Sequence, residues 1–208
     1  MKIDIFADTV CPWCRIGKRH LELALSEWQG QPVMVHYRSF FLDPTLPAAG
    51  RDFREHMLAK GGGRMGLEDF FAMPRQRGAA VGLTFNFEAI EKAPNTMLSH
   101  RLAYLAPEDR RGEILDTIYA AYFEHGRDIG DIDVLAGIAE GAGLDGTAIR
   151  AALAGEAGMA EVLADVEFAR QAGISGVPFF VFNDKYAFSG AQLPQSILRV
   201  IEQVAEDD

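Results

Sequence analysis

No apolar run in these 208 residues approaches the ~20 that a helix needs to cross a bilayer. The start of the chain has no secretory leader pattern either. Met1-Lys2 runs straight into a segment holding Asp4 and Asp8, without an apolar h-region or a cleavage site. Basic residues are the minority, 20 against 30 acidic ones, for a net charge of −10. That balance argues against a nucleic-acid surface and offers nothing to an anionic membrane. No repeat, linker or low-complexity stretch interrupts the chain before the acidic Glu206-Asp207-Asp208 tail. Cysteine is scarcer still, with only Cys11 and Cys14. If Met1 is the natural start, the protein is expected in the cytoplasm, where a cysteine pair is catalytic more often than a structural staple.

What is present is organised around Asp8-Thr9-Val10-Cys11-Pro12-Trp13-Cys14. Before it, Lys2-Ile3-Asp4-Ile5-Phe6-Ala7 alternates polar and apolar residues, as a strand does. After it, Gly17, Leu21, Ala24 and Trp28 recur at helical spacing, with Leu25 on the same face. Cys11 therefore falls at a strand-to-helix junction, with Pro12 at the first helical position, where a missing N–H costs nothing. Free N–H groups and the positive end of the helix dipole favour an anion there, in this case a thiolate. Cys14, one turn on, faces the core. This predicts an exposed attacking thiol at Cys11 and a shielded resolving thiol at Cys14. A zinc site would have to recruit from His20, His36, His56, His100 and His125, which show no ligand spacing, so no metal is expected.

Along the rest of the chain, Val33 to Leu42 reads as a second strand, parallel to the first, closed by Asp43-Pro44. From about Arg51 to Arg170 no convincing strand is found. Phe53, Met57 and Leu58 suggest a short helix stopping at Gly61-Gly62-Gly63. Phe70, Phe71 and Met73 suggest another, and Leu83 to Phe87 a short extended piece. Helices follow from Asn95-Thr96, from Ile114 to Tyr122, from the Asp131 cap, from Asp145 or Thr147, and from Glu156 to Gln171. Strands return at Pro178 to Phe182 and Lys185 to Phe188, joined by the two-residue turn Asn183-Asp184. A last helix runs from about Pro194 to Ala205.

This order, with CPWC after the first strand and Gly176-Val177-Pro178 before the third, resembles the thioredoxin fold. More narrowly, the chain resembles the cytosolic FrnE-like branch of the DsbA family. The blocks that carry the likeness are Cys11 to Cys14, Tyr37 to Pro44, Asn95 to Leu102, Tyr122 to Gly130 and Ser175 to Gln192. The resemblance implies an α/β thioredoxin domain, residues 1–50 and 171–208, with a large all-helical domain inserted at 51–170. It also implies a cis Val177–Pro178 bond beside the cysteines, with the Val177 backbone free to pair with substrate.

Thiol–disulfide exchange needs a thiolate, access to a substrate sulfur, and a second thiol to resolve the mixed disulfide. Cys11 and Cys14 are the expected catalytic pair; Pro12, Trp13, Val177 and Pro178 are the expected substrate contacts. Arg15, in the first turn, is expected to support the thiolate. Asn95, Thr96 and His100 could line the groove, although capping and surface roles suit them as well. The expected activity is disulfide oxidoreductase or isomerase, on thiol or disulfide proteins and peptides, with no bound organic cofactor and glutathione as a possible co-substrate. The alternative is a glutathione-dependent isomerase or transferase, like 2-hydroxychromene-2-carboxylate isomerases and kappa-class transferases, on a small aromatic or polyketide-like compound. Those relatives usually have serine where Cys11 stands. A third reading is a peptide-binding module whose cysteines only sense redox state.

Overall fold

The computed structural model describes residues 1–61 and 66–207. The expected opening is present as β1 (Lys2–Ala7), α1 (Pro12–Glu27) and β2 (Met34–Ser39). Then come β3 (Arg51–Asp52), α2 (Phe53–Lys60), α3 (Leu67–Ala79), β4 (Lys92–Ala93) and α4 (Met97–Leu105). Helices α5 (Arg111–Phe123), α6 (Ile132–Gly141), α7 (Gly146–Ala154) and α8 (Met159–Gln171) lead to β5 (Phe179–Phe182), β6 (Tyr186–Ser189) and α9 (Pro194–Glu206).

The main sheet has the order β2-β1-β5-β6, with β2 parallel to β1 and the other pairings antiparallel. Alternation along β1 decides what covers each face. Ile3 and Ile5 pack with Phe180 and Phe182 under Leu21 and Ala24 of α1 and Ile197, Ile201 and Val204 of α9. On the other face Phe6 packs with Ala169 at the end of α8 and stacks on Phe168, ring centroids 5.9 Å apart. The start of α9 has no side-chain cap, a loss of about 1 kcal/mol. Its three sealed aliphatic residues outweigh that, at about 2 kcal/mol each. The β5–β6 turn places both Asn183 and Asp184 at positive φ, 46° and 56°, as a tight hairpin turn requires.

Three elements differ from the sequence reading. β3 and β4 form an antiparallel pair inside the stretch read as strandless; two residues are too few for alternation to register. Leu83 to Phe87 is not a strand. Phe85 and Phe87 turn into an aromatic cluster instead, Phe87 lying 4.2 Å from Phe71 and Phe85 lying 5.0 Å from Phe123 between ring centroids. The helix read from Glu156 starts at Met159, behind Gly158 at φ 76°. Of the expected turn at Gly61-Gly62-Gly63, Gly61 is the C-cap of α2, while Gly62 and Gly63 lie outside the described residues.

One buried apolar cluster joins Ala7, Cys11, Cys14 and Ile16 to Phe53, Phe71, Leu102, Ile118, Phe123, Leu135 and Leu153. The helices between β2 and β5 therefore share a core with the cysteine end of α1.

Candidate active site

Cys11 is the N-cap of α1, in extended backbone conformation (φ −93°, ψ 112°). Its Sγ accepts a hydrogen bond from the Cys14 N–H at 3.3 Å, and its carbonyl takes the N–H groups of Cys14 and Arg15. One donor, the Cys14 N–H, thus reaches the atom that carries charge as a thiolate, at the positive end of the α1 dipole. Both thiols are free. Cys14 is sealed from solvent, and burial, reinforced by the neighbouring Cys11, pushes its thiol well above the ordinary value.

The expected exposure of Cys11 is not what the structure shows: only 3% of the residue reaches solvent. Helices α2 and α3 and the loop after β2 line the cleft in front of it. The side chain opens instead onto a mainly apolar cleft of about 320 Å³. Pro12, Trp13 and Val177 line that cleft with it, opposite Phe53, Met57, Phe70 and Pro74. Trp13 is half-buried. The Cys11 thiol points at the Val177 carbonyl oxygen, 3.8 Å away. The Val177–Pro178 bond is cis, and Pro178 is buried behind the wall against Gly17. Cys14 and Pro178 are thus behind the cleft, and the other four expected residues are on its surface.

Arg15 does not support the thiolate. Its guanidinium turns away to donate to the Thr84 carbonyl (2.8 Å), pairs with Glu124 and lies 5.4 Å from the Phe85 ring centroid. The charge beside the cysteines belongs to Asp8, which is 1% exposed. Its carbonyl accepts from the Cys11 N–H (3.1 Å) and the Tyr119 hydroxyl (3.3 Å). Its carboxylate accepts from the Leu42 N–H (2.7 Å) and faces His100 Nε2 at 3.3 Å.

Three successive residues of α4 serve as clamps. The Ser99 hydroxyl bonds that of Thr9 at 2.7 Å, and His100 meets Asp8. Arg101 donates to the carbonyls of Ala152, Leu153, Gly155 and Ala157, closing the end of α7. Asn95 is likewise structural, donating to the Leu46 carbonyl and accepting from the Met97 N–H. Among the residues weighed for the groove, only Thr96 reaches it; His100 is sealed beneath.

Sequence reasoning missed Asp43, His56 and Lys60 on the far wall. Hydrogen bonds from Thr45 hold the Asp43 carboxyl below its usual value. Burial, then the charge of Lys60, holds His56 below the ordinary histidine value. His56 Nε2 lies 3.7 Å from Asp43 Oδ2. No spacing marks these residues, because α2 meets the cysteines only through the tertiary fold. Among the described residues no group of three or more His, Cys, Asp or Glu side chains is placed to hold a metal, and no helix is long and apolar enough to cross a membrane.

The family described as "DSBA-like thioredoxin domain" matches residues 2–202. A probable DsbA oxidoreductase of Streptomyces coelicolor superposes with a TM-score of 0.90 at 35% identity, covering 100% of this chain and 91% of its own. The cytosolic disulfide reductase DsbM from Pseudomonas aeruginosa, solved with GSH, shares the fold at 19% identity and a TM-score of 0.61, covering 99% and 100% of the two chains. The uncharacterized protein YwbO of Bacillus subtilis (strain 168) is 28% identical over 188 residues, 88% of this chain and 86% of that one.

Proposed function

Because this chain belongs to the DSBA-like thioredoxin domain family, we propose that it is a thiol–disulfide oxidoreductase in which Cys11 attacks and Cys14 resolves. The observation that carries this reading is the pairing of two free thiols at a helix start, Cys11 facing the cleft and Cys14 sealed behind it. The Cys11 thiolate attacks one sulfur of a substrate disulfide, forming a mixed disulfide and expelling the other sulfur as a thiolate. Cys14 then loses its proton and attacks Cys11 Sγ, releasing the second substrate thiol. The substrate gains two electrons and the protein is left with a Cys11–Cys14 disulfide, which an external thiol such as glutathione reduces. Pro12, Trp13 and Val177 touch the substrate, and Pro178 fixes the position of Val177. Residues 1–50 and 171–208 carry this chemistry and residues 51–170 roof it. No bound organic cofactor is needed, and the compartment is the cytoplasm.

The test is substitution of each thiol. Cys11→Ser abolishes exchange and traps nothing. Cys14→Ser still attacks but stalls, leaving substrate bound through Cys11 on a non-reducing gel. In a glutathione-dependent isomerase the reacting sulfur comes from glutathione, so Cys14→Ser would be nearly silent. Wild-type protein inactive in exchange, with no adduct on Cys14→Ser, would falsify the oxidoreductase reading.

A further inference from the structure

Which way electrons flow through a dithiol depends on its thiolate, because stabilising that form holds the electrons on the protein. The start of α1 and one N–H favour a charge on Cys11 Sγ. The nearest cations of α1 are engaged elsewhere, Arg15 by Thr84 and Glu124, and the buried Lys18 by Glu22 and Asp116. On the far wall the Lys60 charge acts on Asp43 and His56. Opposing a thiolate is the sealed carboxylate of Asp8, which lines the cleft with Cys11 and takes the Cys11 N–H on its carbonyl. The Leu42 N–H and His100 of α4 hold that carboxylate in place, and Tyr119 and Tyr122 of α5 face Asp8 from below. A negative charge fixed in so dry a place disfavours a second one beside it. Its reach extends to Cys14. Burial and Cys11 push that thiol up and the Asp8 charge adds to the rise, against a smaller pull from the Asp8 backbone.

We infer that Asp8 sets the redox poise of the pair: its fixed carboxylate opposes a thiolate at the start of α1 and tips the balance toward the Cys11–Cys14 disulfide. The reduced protein is thereby a stronger electron donor than it would be without this charge. The inference rests on the disulfide-exchange reading and adds the residue that biases its direction. Asp8 takes no part in bond exchange and acts through the two thiols. In the favoured direction the dithiol gives two electrons and two protons to a substrate disulfide. The substrate leaves as two thiols and the protein keeps the Cys11–Cys14 bond.

The experiment equilibrates the full-length protein with mixtures of reduced and oxidised glutathione and measures the fraction carrying the Cys11–Cys14 disulfide. At about pH 8, near the ordinary ionisation of a thiol, Asp8→Asn is expected to shift the equilibrium constant about three- to tenfold toward the dithiol. Asp8→Ala, a second neutral variant should the first not fold, shifts it the same way. The gap closes toward acid, where thiols take up protons and a nearby charge no longer separates the two states. His100→Gln loosens the same contact but keeps the carboxylate, so its constant does not move toward the dithiol. An unchanged constant in the neutral variants, a shift toward the disulfide, or a shift of equal size at every pH overturns the inference while exchange itself stands. An equal shift in His100→Gln overturns it too, since the effect would then come from packing. Absence of the Cys11–Cys14 disulfide at every glutathione ratio would instead defeat the underlying oxidoreductase reading.

Discussion

A Cβ atom on Gly17 would sit 2.7 Å from Pro178 Cγ and 3.3 Å from Phe180 Cζ. Helix α1 and the chain that enters β5 thus touch through a position with no side chain, and this contact sets how close the Val177 wall comes to Cys11.

Gly17→Ala tests that contact. Alanine favours a helix interior by about 1 kcal/mol over glycine. Overpacking against two stiff rings costs about 1–3 kcal/mol. The net expectation is a loss of about 1 kcal/mol in urea unfolding, with slower disulfide exchange as the wall is displaced. A variant as stable as the wild type would mean that the two elements can move apart freely.

Asp8 and His100 are both sealed. Asp8→Ala leaves the Leu42 N–H and the imidazole without their acceptor, a loss of about 2–4 kcal/mol. Asp8→Asn keeps an oxygen for Leu42 and is expected to lose less. Denaturant unfolding of the reduced proteins ranks the three; an alanine variant equal to the wild type contradicts this account.

Arg101 satisfies four carbonyl oxygens at once, which the planar fork of a guanidinium can do and an ammonium cannot. Arg101→Lys keeps the charge yet is expected to cost about 2–3 kcal/mol, for the acceptors it abandons. Hydrogen exchange locates the damage: amides of α7 lose protection before those of the main sheet. Uniform loss across the molecule would show that α7 is not held separately by this residue.

Burial raises the ionisations of Cys14, Tyr119 and Tyr122 above their ordinary values. Above the unfolded values of about 8.5 for cysteine and 10 for tyrosine, the unfolded chain releases protons that the native state keeps. The unfolded state then binds fewer protons, so stability falls as pH rises. These groups are expected to leave stability flat from about pH 6 to 8 and to lower it above about pH 9. Cys14→Ala removes the earliest part of that fall. A reduced wild type equally stable at pH 7 and pH 10 is incompatible with the sealed thiol and phenols.

The thioredoxin-like elements were legible in the sequence because their signals are local. Alternation in β1, Pro12 behind Cys11 and Asn183-Asp184 between two apolar runs each act within a few residues, as do the caps of two inserted helices, Asp131 and the one the sequence leaves open between Asp145 and Thr147 and the structure gives to Asp145. Trp13 and Val177 could be placed because they adjoin those signals. What escaped depends on distant partners. Arg15 answers to Thr84 and Glu124, Ser99 to Thr9, and His100 to Asp8, none of which a helical period encodes. The wall in front of Cys11 escaped for the same reason: the apolar stripes of α2 and α3 predict a buried face without naming what lies beneath it. Lys60 carries no signal beyond its charge, and charge is ordinary at the end of a helix.

The apolar cluster that runs from Cys14 to Leu153 crosses from α1 into the helices beyond β3 without a seam. A hinge needs a boundary where few side chains interlock, and here a swing of the roof would tear phenylalanines and leucines out of a common interior. Traffic to and from the cleft is therefore expected to depend on small rotations of Trp13, Met57 and Phe70 at its edge. A roof that shares its interior with α1 is expected to filter an entering molecule by size before its chemistry is tested.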